Sequence, residues 1–103
     1  MSLVHMVEDD ESRPVPAIFP GAASKVLIGA ASAQSGAFGS STGLIRVACS
    51  VGCFVAIGAN PVADSNSLFL PAGMVEYFGV SPGQKIAVIQ NTEAGFLSVV
   101  EAL

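Results

Sequence analysis

A chain of 103 residues makes one domain, long enough to bury a core and short for an enzyme with an internal cleft. Hydrophobic residues make up 51% of it and charged residues only 12%, against roughly 25% in ordinary soluble domains, so a share of its apolar surface is expected to be covered by other subunits. The net charge of −4 belongs to Glu8, Asp9, Asp10 and Glu11 alone; from residue 12 onward four acids (Asp64, Glu76, Glu93, Glu101) balance four bases (Arg13, Lys25, Arg46, Lys85), and without a basic cluster to neutralise phosphates nucleic acid is not an expected partner.

Residues 1–20 stand apart in composition, with an acidic run followed by three prolines in the stretch Pro14 to Pro20. Proline fixes φ and pushes the residue before it toward extended conformations, so residues 13–20 are expected as an extended arm, with residues 1–12 read as a tail without fixed structure. Val15, Ile18 and Phe19 give the arm apolar residues to lay on a neighbouring subunit. Residues 21–103 then form the folded domain. Lys25 to Ile28 is a plausible first strand. The small-residue segment from Gly29 to Gly43 is expected as a loop or strand end held close to the sheet, with Phe38 as its one large side chain.

From Gly43 onward, short apolar runs alternate with turn signals. Leu44–Cys49, Cys53–Ile57, Ser67–Leu70, Val75–Phe78, Lys85–Gln90 and Phe96–Glu101 have strand length and content, and Gly, Pro, Asn or Ser separates them. This predicts an all-β domain, a small antiparallel β-sandwich or jelly-roll-like barrel. The first two of these runs, joined by Ser50-Val51-Gly52, read as a three-residue hairpin. The last two read as a second hairpin around Asn91 to Gly95. Pro82-Gly83 suits the central positions of a type II turn, and Leu70-Pro-Ala-Gly73 reads as another tight turn. Along Leu44–Cys49 both faces are largely apolar: Ile45, Val47 and Cys49 on one, Leu44 and Ala48 with Arg46 on the other. Strands of that kind sit between two covers.

Few residues offer chemistry. Two cysteines and one distant His5 are too few for a cysteine-built metal site, so no metal and no cofactor are expected. Cys49 and Cys53 read as reduced, buried small hydrophobes. No base is placed to activate a Ser or Cys nucleophile. The carboxylates are scattered, and none pairs with another in a short motif. Glu76, within the apolar run Val75-Glu76-Tyr77-Phe78, is expected to pair with Arg46 or Lys85 or to face a subunit contact, and Tyr77 beside it joins the interface candidates. No phosphate-binding glycine motif occurs. The chain is not expected to be an enzyme. With no run of 18 apolar residues and no secretory signal pattern, it reads as soluble, made in the cytoplasm and without a membrane partner.

Three stretches resemble a group of small proteins encoded in the structural gene regions of tailed phages and prophages. They are R-V-A-C-S-V-G-C-F-V-A-I-G-A-N-P from Arg46, F-L-P-A-G-M-V-E-Y-F-G-V-S-P-G-Q-K-I-A-V-I-Q from Phe69, and L-S-V-V-E from Leu97. The resemblance covers roughly residues 44–101, and residues 1–24 have no counterpart in the pattern. The resemblance implies a virion component, a capsid decoration, head-completion or tail-associated protein, synthesised in the host cytoplasm and carried in the particle. It supplies no catalytic residue. The expected function is therefore a structural β-sandwich that forms a homo-oligomer, a trimer ahead of a dimer, and binds other virion proteins. The alternative is a module that recognises a glycan or other surface ligand through the loops Ala59 to Ser67 and Asn91 to Gly95.

Overall fold

A computed structural model describes residues 4–8, 14–18 and 20–102, the first two stretches by their backbone alone. Phe19 and most of the acidic run, and with them the expectations placed there, lie outside the described residues. Ten strands are present among the described residues: β1 (Val4–Glu8), β2 (Pro14–Ile18), β3 (Pro20–Ile28), β4 (Ala33–Gln34), β5 (Leu44–Cys49), β6 (Cys53–Gly58), β7 (Leu68–Leu70), β8 (Val75–Gly79), β9 (Lys85–Gln90) and β10 (Gly95–Ala102). All ladders are antiparallel.

The domain is the expected all-β sandwich. One sheet has the order β3-β10-β5-β8 and the other β4-β9-β6-β7, while β1 and β2 pair only with each other. Every connection from β3 to β10 except β6 to β7 leads from one four-stranded sheet to the other. That alternation over eight strands is the jelly-roll arrangement of interlocked Greek keys. Its consequence is that neighbours in sequence are seldom neighbours in a ladder.

Both expected hairpins are therefore corrected. β5 pairs with β10 and β8, whereas β6 pairs with β9 and β7. The Ser50-Val51-Gly52 link is a corner between the sheets, and Asn91 to Ala94 joins β9 to β10 across the sandwich in the same way. Physically the two cases look alike in sequence. Three residues span about 10 Å when extended, which is also the ~10 Å separation of packed sheets. The corner is secured by the Ser50 amide donating to Phe96 O at 3.0 Å and the Phe96 amide donating to Ser50 Oγ at 2.9 Å.

The turns are closer to expectation. Gly83 has φ of +83°, and the Gln84 amide donates to Ser81 O at 3.2 Å, which closes a type II turn around Pro82-Gly83. Gly73 has φ of +77°, with the Met74 amide donating to Pro71 O at 3.2 Å, so the turn after β7 begins one residue later than expected.

Alternation places the core. In β5, Ile45, Val47 and Cys49 are buried and Leu44, Arg46 and Ala48 are only half-buried. Ladder partners share a face, so Val99 and Leu97 of β10 join them, and from the facing sheet come Cys53 and Val55 of β6 with Ile86 and Val88 of β9. Phe38 seals one margin of this core at 5% exposure. The segment that carries it runs beside the start of β9: the Ser35 amide donates to Ile86 O, the Phe38 amide to Gln84 O and the Gly83 amide to Phe38 O, all at 2.8–2.9 Å. The small-residue stretch before β5 is held against the sheet, as its composition suggested.

Candidate interaction surfaces

The register that fills the core also fixes what points away from it. On the sheet β3-β10-β5-β8, Leu27 pairs with Phe96, Lys25 with Ser98, Ala23 with Val100, Val100 with Arg46, Arg46 with Tyr77 and Ala48 with Val75. These residues form its outer face. Leu27 is 72% exposed, Tyr77 51%, and Val75 and Phe96 39% each. The charges on this face are Lys25 and Arg46, and the Lys25 ammonium lies 4.6 Å from the centre of the Phe96 ring, a cation–π contact. A contiguous apolar area with a sparse cationic component has the composition of an interface core, where charge is depleted and aromatic residues and Arg are enriched.

The opposite face, on β4-β9-β6-β7, is apolar as well but better self-covered. Phe54 and Phe69 are ladder partners with ring centres 5.3 Å apart and planes tilted by 50°. Ile89 lies across from Phe54, and Ala87, paired with Ala56, is fully buried. Phe69 remains 45% exposed. The expectation that both sides of the strands are apolar holds for both sheets.

Among the residues singled out in the sequence, Tyr77 stands on the more exposed of these faces. Glu76 does not. It pairs with the core residue Val47 and so lies on the inner side of β8, an edge strand, where it is half-buried. Arg46 projects from the outer side of the same sheet and Lys85 belongs to the other sheet, so the expected pairing of Glu76 with either is corrected. Val15 and Ile18 lie in β2, where they pair with Val7 and Val4. Leu27 and Phe96 were not singled out. The signal was present, because strict alternation sets them opposite the inward Val26 and Leu97, and in a strand with a solvated outer face such positions are polar.

A carboxylate does find a defined role at the margin of the core. Glu101 Oε1 accepts hydrogen bonds from the Gly39 amide at 2.8 Å and from Thr42 Oγ1 at 2.5 Å. Thr42 is 2% exposed, so this acceptor satisfies a buried hydroxyl and ties the loop before β5 to the last strand.

The two cysteines face each other across the sandwich, one from each sheet, with both thiols free and buried. Cys49 Sγ donates to Pro71 O at 3.0 Å. Burial pushes the Cys53 thiol up to about 12, helped by the charge an ionised Cys49 would place beside it and by their mutual hydrogen bond. A thiol of that kind is a poor nucleophile at neutral pH. Alkylation by iodoacetamide should therefore be slow at Cys53 in the folded protein and rapid after denaturation, as followed by mass spectrometry. The linkage has a definite sign. The folded-state value lies above the ordinary 9.0, so the unfolded chain loses this proton first, and stability should decline as pH rises from about 9 toward 12. Denaturant midpoints across that range measure it, and a Cys53→Ala variant should show a shallower decline.

The loops considered for ligand binding leave from opposite ends of one strand pair. Gly58, which leads into residues 59–67, pairs with Lys85, whereas Gln90, which leads into residues 91–94, lies beside Cys53. They do not form one site. The first is tied down, with Gln34 Nε2 donating to Asn60 Oδ1 at 2.9 Å and to Pro61 O at 2.7 Å, and with the Ala63 amide donating to Ser32 Oγ at 2.9 Å. Among the described residues, no group of three or more His, Cys, Asp or Glu side chains is placed to hold a metal ion, and no helix is long and apolar enough to cross a membrane. Comparison with models of known protein families, with curated proteins and with solved structures finds no match to this chain.

Proposed function

We propose that this chain is a non-enzymatic structural component of a tailed-phage or prophage particle that self-associates and binds other virion proteins. The observation that carries the reading is the outer face of β3-β10-β5-β8, where Leu27, Phe96, Tyr77 and Val75 stand exposed around only two charged side chains. A protein that keeps such a face and carries 12% charged residues gains stability and solubility from being covered. The sequence resemblance around Arg46–Pro61 and Phe69–Gln90 points to the virion as the setting. The fold adds support by analogy alone, since jelly rolls recur in viral capsid domains as well as in lectins.

Two measurements test this. Light scattering on the purified full chain should give a defined oligomer, a trimer ahead of a dimer, and a monomer that stays dispersed at high concentration would overturn the self-association. Peptide mass spectrometry on gradient-purified particles should recover the chain in fixed proportion to the major capsid protein. Recovery only from the soluble fraction would overturn the virion assignment.

A further inference from the structure

We propose that β8 is the contact through which two copies of this chain join, pairing antiparallel with the β8 of a second copy about a twofold axis at Tyr77. The inference rests on the self-association reading and sharpens it, because a self-complementary contact of this kind makes a dimer in place of the trimer expected first.

β8 is an edge strand, paired with β5 on one side alone. Antiparallel ladders exchange hydrogen bonds at every second pair, and here the Val80 amide donates to Gly43 O at 3.1 Å and the Cys49 amide to Met74 O at 3.3 Å. The bonded pairs between them are therefore Ile45 with Phe78 and Val47 with Glu76. The N–H and C=O groups of Val75, Tyr77 and Gly79 point the other way, and among the described residues no other group bonds to them. A row of free groups along a strand is a template for another strand.

Folded domains blunt such edges with short strands, proline, lysine or bulges. The other three edges of the sandwich are blunted in these ways. β4 has two residues and β7 three. β3 begins at Pro20, carries Lys25 midway and shifts register against β10 between Val100 and Ala102. β8 runs for five residues, Val75-Glu-Tyr-Phe-Gly79, with no proline, no lysine and no register shift.

The single charge on β8, Glu76, selects the register. With the axis at Tyr77, Tyr77 faces its own copy, Val75 faces Gly79 and Glu76 faces Phe78, so every free N–H and C=O of the edge gains a partner. Moving the axis to Glu76 sets two carboxylates directly opposite each other, which is destabilising. Moving it to Phe78 leaves Val75 opposite Ser81, beyond the end of the strand.

Charge also favours the edge over the face. The outer side of this sheet carries Lys25 and Arg46, and the ladder register brings no Asp or Glu to it among the described residues, so stacking two copies face to face sets like charges together. Edge pairing keeps them apart. Arg46 lies beside Tyr77, and across the axis the two Arg46 positions stand three strand spacings, about 14 Å, from each other, beyond the screening length of about 8 Å at physiological salt. The two outer faces then join into one apolar surface with both Tyr77 rings at its centre.

Sedimentation equilibrium on full-length variants tests the contact. Because the Tyr77 N–H points away from β5, Tyr77→Pro removes a donor that the subunit does not use itself. It should weaken dimerisation about tenfold or more, as the loss of the two bonds exchanged at the axis predicts. Tyr77→Thr keeps the backbone donor and a strand-forming residue, and should weaken dimerisation by less than about fivefold, the range of a cross-strand side-chain pair. Cross-linking with a short bismaleimide reads the register, and it decides the matter if thermal melting shows that Tyr77→Pro unfolds the domain. The native thiols are buried. Tyr77→Cys places its two thiols at a bonded pair, with Cα atoms about 5.5 Å apart, and should give a covalent dimer. Val75→Cys should not, because its two positions lie about 13 Å apart along the strands. A wild-type monomer overturns both this inference and the self-association beneath it. A wild-type trimer, or an oligomer indifferent to Tyr77→Pro, overturns the edge contact alone. Equal weakening by Tyr77→Pro and Tyr77→Thr overturns pairing through the backbone, and cross-linking of Val75→Cys as fast as that of Tyr77→Cys overturns the register.

Discussion

Leu97→Ala is expected to destabilise the folded chain by about 2–5 kcal/mol, the range for opening a cavity at a fully packed leucine. Leu97 has no solvent exposure and sits in β10, an interior strand with a ladder partner on each side, flanked by Val26 of β3 and Cys49 of β5. Its side chain points at the facing sheet, so the vacancy is bounded on every side by strands that cannot collapse without breaking ladders. Domains of this size have only about 5–15 kcal/mol in total. A loss near 3 kcal/mol should lower the melting temperature on the order of 15 °C. Calorimetry checks it, and a loss below about 1 kcal/mol would mean that the two sheets are not packed on this residue.

Phe38→Ala should cost about 3–5 kcal/mol, an effect as large as that of a central core residue although Phe38 belongs to no strand. The reason is its position. The residues around it are small, and its ring is the single large side chain with which that segment closes the core beside β9. Without the ring, the Phe38 amide bond to Gln84 O and the Gly83 amide bond to Phe38 O lose the packing that shields them. Hydrogen exchange should therefore accelerate at the amides of Phe38 and Gly83 before it does so in β5 or β10. Phe38→Leu, which keeps most of the apolar volume, should restore more than half of the stability. Uniform loss of protection across both sheets would instead make the segment part of the global folding unit.

These two effects also separate the inside of the sandwich from its outside. Leu97 and Phe96 are adjacent in sequence and point to opposite faces of one strand, the first into the core and the second, 39% exposed, beside Lys25. The same alternation links Val26 to Leu27. A protein with many apolar outward positions has, besides its core, an apolar surface of the kind that interfaces cover, which is what supports the proposed self-association. That is the physical basis on which an assembly role is preferred over a loop-borne ligand site, whose two candidate loops lie at opposite ends of β6 and β9.

Local chemistry alone determined where the strands from β5 onward run, whereas β1, β4 and the start of β3 at Pro20 rather than Lys25 were not legible in it. Strand-length apolar runs marked Leu44–Cys49 and Lys85–Gln90 to the residue, because both are bounded by turn formers. Pro82-Gly83 specified its turn for the same local reason, since only glycine takes φ of +83° without strain. The apolar character of both faces of Leu44–Cys49 was legible too.

Tertiary structure alone decided which strands share a sheet. Ser50-Val51-Gly52 suits a hairpin within one sheet or a corner between two, and the choice falls to the corner because β10 and β8 take both edges of β5 while β9 and β7 take both edges of β6. That competition among distant strands for hydrogen-bonding edges has no signature in any short stretch of sequence. It also placed Glu76 on the inner side of β8, away from Arg46, and it gathered Leu27, Phe96, Arg46 and Tyr77, from four strands spread over most of the chain, onto one face.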